Sequence, residues 1–317
     1  MDFCLCRPKA TSNPRGHRDK TLIKHIFFWS LFYGMVLAAP AAKNAPDEAY
    51  RESWEKWKSG LIKSRKENWL TLAGLYWLKP GDNTFGSDPG NAIVFPKGPG
   101  HAGWFELNGK EVTLKLLPGV EASVADKPVS SVKLEPDTSE NTTTVAMGSL
   151  RFYAIVRGKR VGIRLRDLEN PQAKTYSGPV FYPINLRYRV TAKWFPSDGK
   201  KTVDVPNVLG DSEAVPVEGT ADFMLDGKEM QLTAIDDGGD LFFVFNDPTK
   251  KTDTYPGGRF LKAERPGDGI IVLDFNRAYN PPCAVTPYAT CPLAPRENRL
   301  AAPILAGEKF AHAPGRH

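Results

Sequence analysis

Histidine and cysteine are scarce in this chain. Only five His and four Cys occur in 317 residues, and His17, His25, Cys4 and Cys6 all fall near the start. His312 and His317 stand in a Pro/Gly tail, so the body holds a single histidine, His101. That inventory cannot build a His-rich catalytic metal site, and any Ser-His-Asp or Cys-His arrangement would have to pass through His101. The turn Gly98-Pro99-Gly100-His101-Ala102-Gly103 enters a strand, and there a histidine serves structure by hydrogen-bonding backbone. Also lacking are a G-x-S-x-G elbow, a G-x-G-x-x-G run opening a helix and a G-x-x-x-x-G-K-[ST] loop, which leaves nucleotide enzymology unsupported and implies no cofactor and no metal. The longest apolar stretch, Ile26 to Ala39, is short of the roughly 20 residues that cross a bilayer.

That stretch has another use. Arg7, Lys9, Arg15, Arg18, Lys20 and Lys24 precede it and Ala38-Ala39-Pro40-Ala41-Ala42 follows, the order of a secretory signal peptide over residues 1–42, cut near Ala41 or Ala42. The implied destination is periplasmic or secreted, with no stable membrane span after leader removal. Without residues 1–42 the chain keeps 36 Lys and Arg against 34 Asp and Glu, so its basic charge resides largely in the leader. Nucleic-acid binding would want a dense basic stripe. The only local candidates, Arg157, Lys159, Arg160, Arg164 and Arg166, alternate with apolar residues as the solvent face of a strand pair does. Nucleic acid is therefore not expected as a partner.

Export also leaves Cys283 and Cys291 in an oxidising compartment, where a disulfide is the default. Closing so small a loop contributes only about 2–3 kcal/mol by the chain-entropy argument, so its use is to shape a Pro-rich segment. A metal pair and a nucleophilic thiol are the alternatives, the first loosely spaced and the second needing a base nearby.

With 17 Phe, 10 Tyr and 7 Trp among 41% hydrophobic residues, the chain has the composition of a globular protein and not of a disordered one. Tyr50, Trp54, Trp57 and Leu61 recur at helical spacing within Asp47 to Lys66, which predicts a packing helix. From Trp69 onward the pattern becomes short apolar runs broken by Gly, Pro and Asn. They are Leu70–Leu78, Ala92–Phe95, Gly103–Leu107, Val112–Leu117, Val132–Leu134, Thr142–Met147 and Leu150–Val156 in the first half. The second half adds Val161–Leu165, Phe181–Ile184, Tyr188–Trp194, Lys201–Val205, Ala221–Leu225, Glu229–Ala234, Leu241–Asn246 and Ile270–Phe275. Asn108-Gly109 and Asp226-Gly227 are strong hairpin turns, with Arg157-Gly158 a third turn of this kind, while 120–137 and 211–219 read as exposed excursions. Many short strands without crossover helices exclude a doubly wound fold. The expected architecture is mainly β: a leader (1–42), a helix (43–68), an N-terminal β-sandwich (69–148), a second antiparallel sandwich or barrel (149–310) and a disordered tail (311–317).

Polar and aromatic residues crowd the C-terminal third. They begin with Asp247, Tyr255 and Arg259, continue after the last long strand with Asp274, Asn276, Arg277, Tyr279 and Asn280, and end with Glu297, Asn298 and Arg299. A strand that delivers such groups into a Pro-stiffened segment costs entropy and adds little core, which is often the mark of a site. Guanidiniums of Arg259, Arg277 and Arg299 fit a carboxylate or phosphate, and Asp274 with Glu297 would serve as an acid–base pair. The competing explanation is that these groups satisfy buried backbone.

The run Trp69-Leu70-Thr71-Leu72-Ala73-Gly74-Leu75-Tyr76-Trp77-Leu78, with Asn83-Thr84-Phe85-Gly86-Ser87-Asp88 and His101-Ala102-Gly103, resembles the opening of the bacterial and archaeal family named domain of unknown function 1684. Its most distinctive block is matched by Leu273-Asp274-Phe275-Asn276-Arg277-Ala278-Tyr279-Asn280-Pro281-Pro282-Cys283 and Glu297-Asn298-Arg299-Leu300, and the resemblance spans roughly residues 54–310. It implies no particular activity. A second resemblance, through Asn83 to Ser87, Asn91 to Pro96 and His101-Ala102, is to the forkhead-associated β-sandwich. That family binds phosphothreonine through an Arg and a Ser; Ser87 and Gly98 stand in their places, so the scaffold is implied without the phosphate site. Three functions follow: an exported binding protein holding a small anionic or sugar-like molecule with its C-terminal Arg/Asn/Tyr segment, a carboxylate hydrolase of the glycan type, or a structural envelope protein without ligand.

Overall fold

The computed structural model describes residues 45–236 and 238–310; the expected signal peptide and the tail at 311–317 lie outside the described residues. Asp47 starts the predicted helix α1 (Glu48–Ser64), its carboxylate accepting the Tyr50 N–H at 2.8 Å, the bond an N-cap supplies to an orphan donor. Trp54 is buried from α1, and a π-helical turn, Arg65–Trp69, carries the chain into the first strand.

Two sheets form the first unit. Its strands are β1 (Leu72–Trp77), β2 (Gly81–Gly86), β3 (Ile93–Val94), β4 (Gly103–Asn108), β5 (Glu111–Leu116), β6 (Ser123–Val124), β7 (Lys127–Pro128), β8 (Ser131–Leu134), β9 (Val145–Met147), β10 (Leu150–Arg157) and β11 (Arg160–Asp167). One sheet runs β1-β11-β10-β9-β6-β7 and the other β3-β2-β4-β5-β8. Side chains alternate in and out along strands, so Phe85, Phe105 and Leu114 of one sheet meet Phe152, Ile163 and Leu165 of the other in a single core. Each buried Phe contributes on the order of 1.5–3 kcal/mol. The expected boundary at 148/149 falls inside the β9–β10 hairpin, because Leu150 pairs with Met147; the first unit therefore runs on to Asp167.

After the short helix α2 (Pro171–Thr175), the second unit comprises β12 (Arg189–Pro196), β13 (Thr202–Pro206), β14 (Ser212–Leu225), β15 (Lys228–Asp236), β16 (Leu241–Phe245), β17 (Arg259–Ala263) and β18 (Ile270–Asp274). The sheet order is β17-β16-β15-β14-β12-β18, with β13 on the outer half of β14, and its edge strands β17 and β18 curl back into contact. Asp226 and Gly227 both take positive φ (57° and 72°), the two-residue turn that their sequence predicts between β14 and β15. Strand β16 is buried on both faces. Leu241, Phe243 and Phe245 enter the inner core with Ile304 and Ala306 of the C-terminal segment, while Phe242 and Val244 enter an outer core with Trp69, Leu72, Phe260 and Tyr279.

Several expectations need correction. Residues 181–184 form no strand, only a bridge between Phe181 and Glu308. The stretch 211–219 is not an exposed excursion but the first half of β14, where Val215 and Val217 pack under β13. Strands β2 and β17 were missed because Gly81-Asp82-Asn83 and Gly257-Gly258-Arg259 look like turn or loop sequence. His101 is exposed and its Nδ1 faces Asn91 Oδ1 at 3.2 Å, not backbone. Ser87 donates to the Gly98 carbonyl at 2.8 Å. Among the described residues no helix is long and apolar enough to cross a membrane.

Candidate site in the cleft between the two units

The polar C-terminal residues divide into groups that face inward. Asp247 caps a 3-10 turn, its Oδ1 accepting the Thr249 N–H (2.9 Å), the Thr249 hydroxyl (2.6 Å) and the Ile304 N–H (3.2 Å). Its Oδ2 takes the Arg259 guanidinium at 2.6 Å, and Arg259 also donates to the Ile304 and Ala306 carbonyls. Both side chains are 1% exposed. Burial pulls the Arg259 guanidinium below its ordinary pKa, with Asp247 opposing. Gly307, at φ 78°, lets the chain leave this pair close to the Phe275 and Ala278 carbonyls, where a Cβ would lie 2.7 Å from either oxygen.

Asp274, Asn276 and Arg277 form a second group beneath α1. The Tyr50 hydroxyl donates to Asp274 (2.8 Å), Asn276 exchanges two bonds with the Asn185 backbone (3.0 Å each), and Arg277 meets Ser53 Oγ and Asp274 (3.4 Å). Burial, then the Asp274 charge, raises the Tyr50 pKa. Asn280 donates to the Lys309 carbonyl at 3.0 Å, and Tyr279 stacks its buried ring on Trp69. Asn298 holds three buried backbone groups at once: it accepts the Thr233 N–H (2.7 Å) and donates to the Thr233 (2.9 Å) and Val244 (3.0 Å) carbonyls. Glu297 and Arg299 are exposed on the adjoining turn. The groups that sequence places together are thus distributed over separate inward-facing networks and an exposed turn.

Cys283 and Cys291 lie side by side as thiols not joined to each other, and the Cys283 N–H donates to the Cys291 sulfur at 3.2 Å. The Cys291 hydrogen bond holds the Cys283 thiol below its usual pKa against the opposing effect of burial, helped by Tyr255, whose own pKa is raised by burial and by Cys283.

A concavity of about 400 Å³ opens elsewhere, between β10–β11 of the first unit and the β13 side of the second. Of the C-terminal residues singled out above, only Cys291 lines it. Its first wall carries Arg157, Arg164 and Arg166; the opposite wall is Trp69, Phe242, Phe260, Ala289 and Pro292, with Asp211 and Glu213 also on the lining. Arg164 and Arg166 share one face of β11 by the two-residue alternation of a strand, opposite the core residues Ile163 and Leu165. The sequence reading of a solvent-facing strand pair is overturned here, because the second unit covers this face and leaves Arg164 0% exposed. Asp137 grips Arg157 with two bonds of 3.1 and 2.6 Å, and the third nitrogen, Nε, reaches Thr290 Oγ1 at 3.1 Å. Arg164 Nη2 meets the same hydroxyl, also at 3.1 Å. Two guanidiniums of one unit therefore converge on one side chain of the other, beside an apolar wall. Desolvated guanidiniums of this kind recognise carboxylate or phosphate oxygens.

No curated protein matches this chain. The solution structure of an uncharacterized protein from Haloarcula marismortui is 32% identical over 44% of this chain and 80% of that chain, with a TM-score of 0.36. The match to the family described as a protein of unknown function, DUF1684, covers residues 174–309, which is the second unit with its polar C-terminal block. The chain belongs to that family.

Proposed function

We propose that the protein binds a small organic anion in the cleft between its two units. The supporting observation is the pairing of Arg157, Arg164 and Arg166 with an aromatic and aliphatic wall in one concavity of about 400 Å³, a volume suited to a small molecule. A carboxylate or phosphate seated on the Arg164 and Arg166 side, with Arg157 held in place by Asp137, would lay an apolar body against Trp69, Phe242 and Phe260. The reading keeps the anionic ligand expected from sequence and moves it from the C-terminal block, whose Arg259, Asn276, Asn280 and Asn298 bond to their own chain.

Benzoate and inorganic phosphate are suitable probes in titration calorimetry. Benzoate is expected to bind, and Arg166→Gln to weaken it at least about tenfold, since a hydrogen bond to a charged group contributes about 1.5–3 kcal/mol. Arg166 is half-buried, so its neutral variant disturbs packing less than a change at Arg164. A wild-type protein that takes up neither probe, or equal affinity in Arg166→Gln, overturns the reading.

The proposal includes export. N-terminal sequencing of protein recovered from the periplasm or medium is expected to start immediately after Ala41 or Ala42; a cell-associated chain that retains Met1 would contradict it.

A further inference from the structure

We propose that Cys283 and Cys291 form a redox centre, a dithiol that closes to a disulfide by exchange with a small-molecule disulfide and thereby resets the wall of the arginine-lined cleft. The two thiols are already neighbours, with the Cys283 amide on the Cys291 sulfur at 3.2 Å. Both ends of the loop that joins them are fastened. Cys283 sits in the 3-10 turn Pro282–Ala284, closed by Ala284 N–H to the Pro281 carbonyl at 3.0 Å. At the other end the Val208 N–H bonds the Cys291 carbonyl at 3.1 Å, and the Leu293 N–H bonds that of Pro206 at 2.7 Å. Pro281, Pro282, Pro287 and Pro292 remove torsional freedom from the same segment. A disulfide here needs a small displacement of an already ordered loop.

That displacement reaches the cleft, which Cys291 itself lines, and its guanidiniums through Thr290. Thr290 precedes Cys291 and accepts from both Arg157 and Arg164, at 3.1 Å each. A covalent sulfur–sulfur contact of about 2.05 Å requires the Cys291 side chain to approach Cys283. Thr290 moves with it, and the two guanidiniums lose or re-form their shared partner.

Cys283 is the entry point, being half-exposed where Cys291 is buried. Its lowered pKa supplies thiolate at lower pH than an ordinary cysteine does. The Cys283 thiolate attacks one sulfur of glutathione disulfide, forming a mixed disulfide and releasing one glutathione thiolate. The Cys291 thiolate then attacks the Cys283 sulfur and displaces the second. The protein loses two electrons and two protons, and glutathione disulfide leaves as two glutathione thiols.

The test uses the full chain equilibrated across a range of glutathione to glutathione disulfide ratios, with the peptide containing residues 283–291 mapped by mass spectrometry so that Cys4 and Cys6 do not enter. The 283–291 disulfide is expected to form and to reverse with dithiothreitol. Cys291→Ser should hold a stable glutathione adduct on Cys283, whereas Cys283→Ser should take up much less. Coupling to the cleft is read without any ligand, as the rate of phenylglyoxal modification at Arg166, expected to differ at least about fivefold between the two redox forms, the low end of usual coupling between two sites. Two free thiols at every ratio would overturn the redox centre, and a reversible disulfide with equal Arg166 rates would overturn its link to the cleft. Only a further comparison of benzoate affinity rests on the anion reading, so failure of benzoate to bind removes that reading and leaves the other two readouts decisive.

Discussion

Replacing Asp247 with alanine is expected to lower the unfolding free energy by about 3–5 kcal/mol, the usual consequence of leaving a buried charge without its partner. The Arg259 guanidinium would be left 1% exposed with two backbone carbonyls and no anion. The loss extends beyond the ion pair, because the Thr249 and Ile304 N–H groups lose their acceptor in the same substitution. Urea denaturation of wild type and variant measures the difference; a change below about 1 kcal/mol, the range of exposed ion pairs, would show that the pair is not closed off from water. Asp247→Asn keeps the cap to Thr249 and is expected to fall between the two.

The second large effect concerns Glu308. Its carboxylate receives Arg65 at both oxygens (2.8 and 2.5 Å) and the Asn280 N–H at 2.7 Å. Arg65 lies just after α1 and is fully buried, so this contact ties the start of the described chain to its end. Burial lowers the affinity of both buried guanidiniums for their proton. At Arg65 the charge and hydrogen bonds of Glu308 more than offset it, leaving the pKa raised, whereas at Arg259 burial dominates. Glu308→Ala is therefore expected to cost about 3–5 kcal/mol, and Glu308→Gln less, because Tyr176 and the Asn280 carbonyl still accept from Arg65. Removing both charges together, as Arg65→Met with Glu308→Leu, should cost far less than the two single changes combined. Additive costs in that double-mutant cycle would contradict a direct pairing.

Periodicity made most of the scaffold legible. The spacing of Tyr50, Trp54, Trp57 and Leu61 located α1, and short apolar runs between turn residues located β4, β5, β10, β11, β15 and β16 within a few residues. Where a segment carries turn-forming residues yet pairs at an edge or under a neighbour, as in β2, β17 and the outer half of β14, local preference was misleading. The family block was equally legible, but its meaning was not. Asp247, Arg259, Asn276, Asn280 and Asn298 look the same in one dimension whether they await a ligand or bond to their own backbone, and the partners that settle the matter lie up to 91 residues away.

The sequence alone determined a mainly β chain with one long helix, an almost histidine-free body and two cysteines at the start and end of a proline-rich loop. It also determined that Arg164 and Arg166 share a strand face, since alternation is a local property. Whether that face meets water was decided only when the second unit closed over β11, buried Arg164 and brought Thr290 to it. Burial depends on what packs opposite, and nothing within the strand specifies its cover.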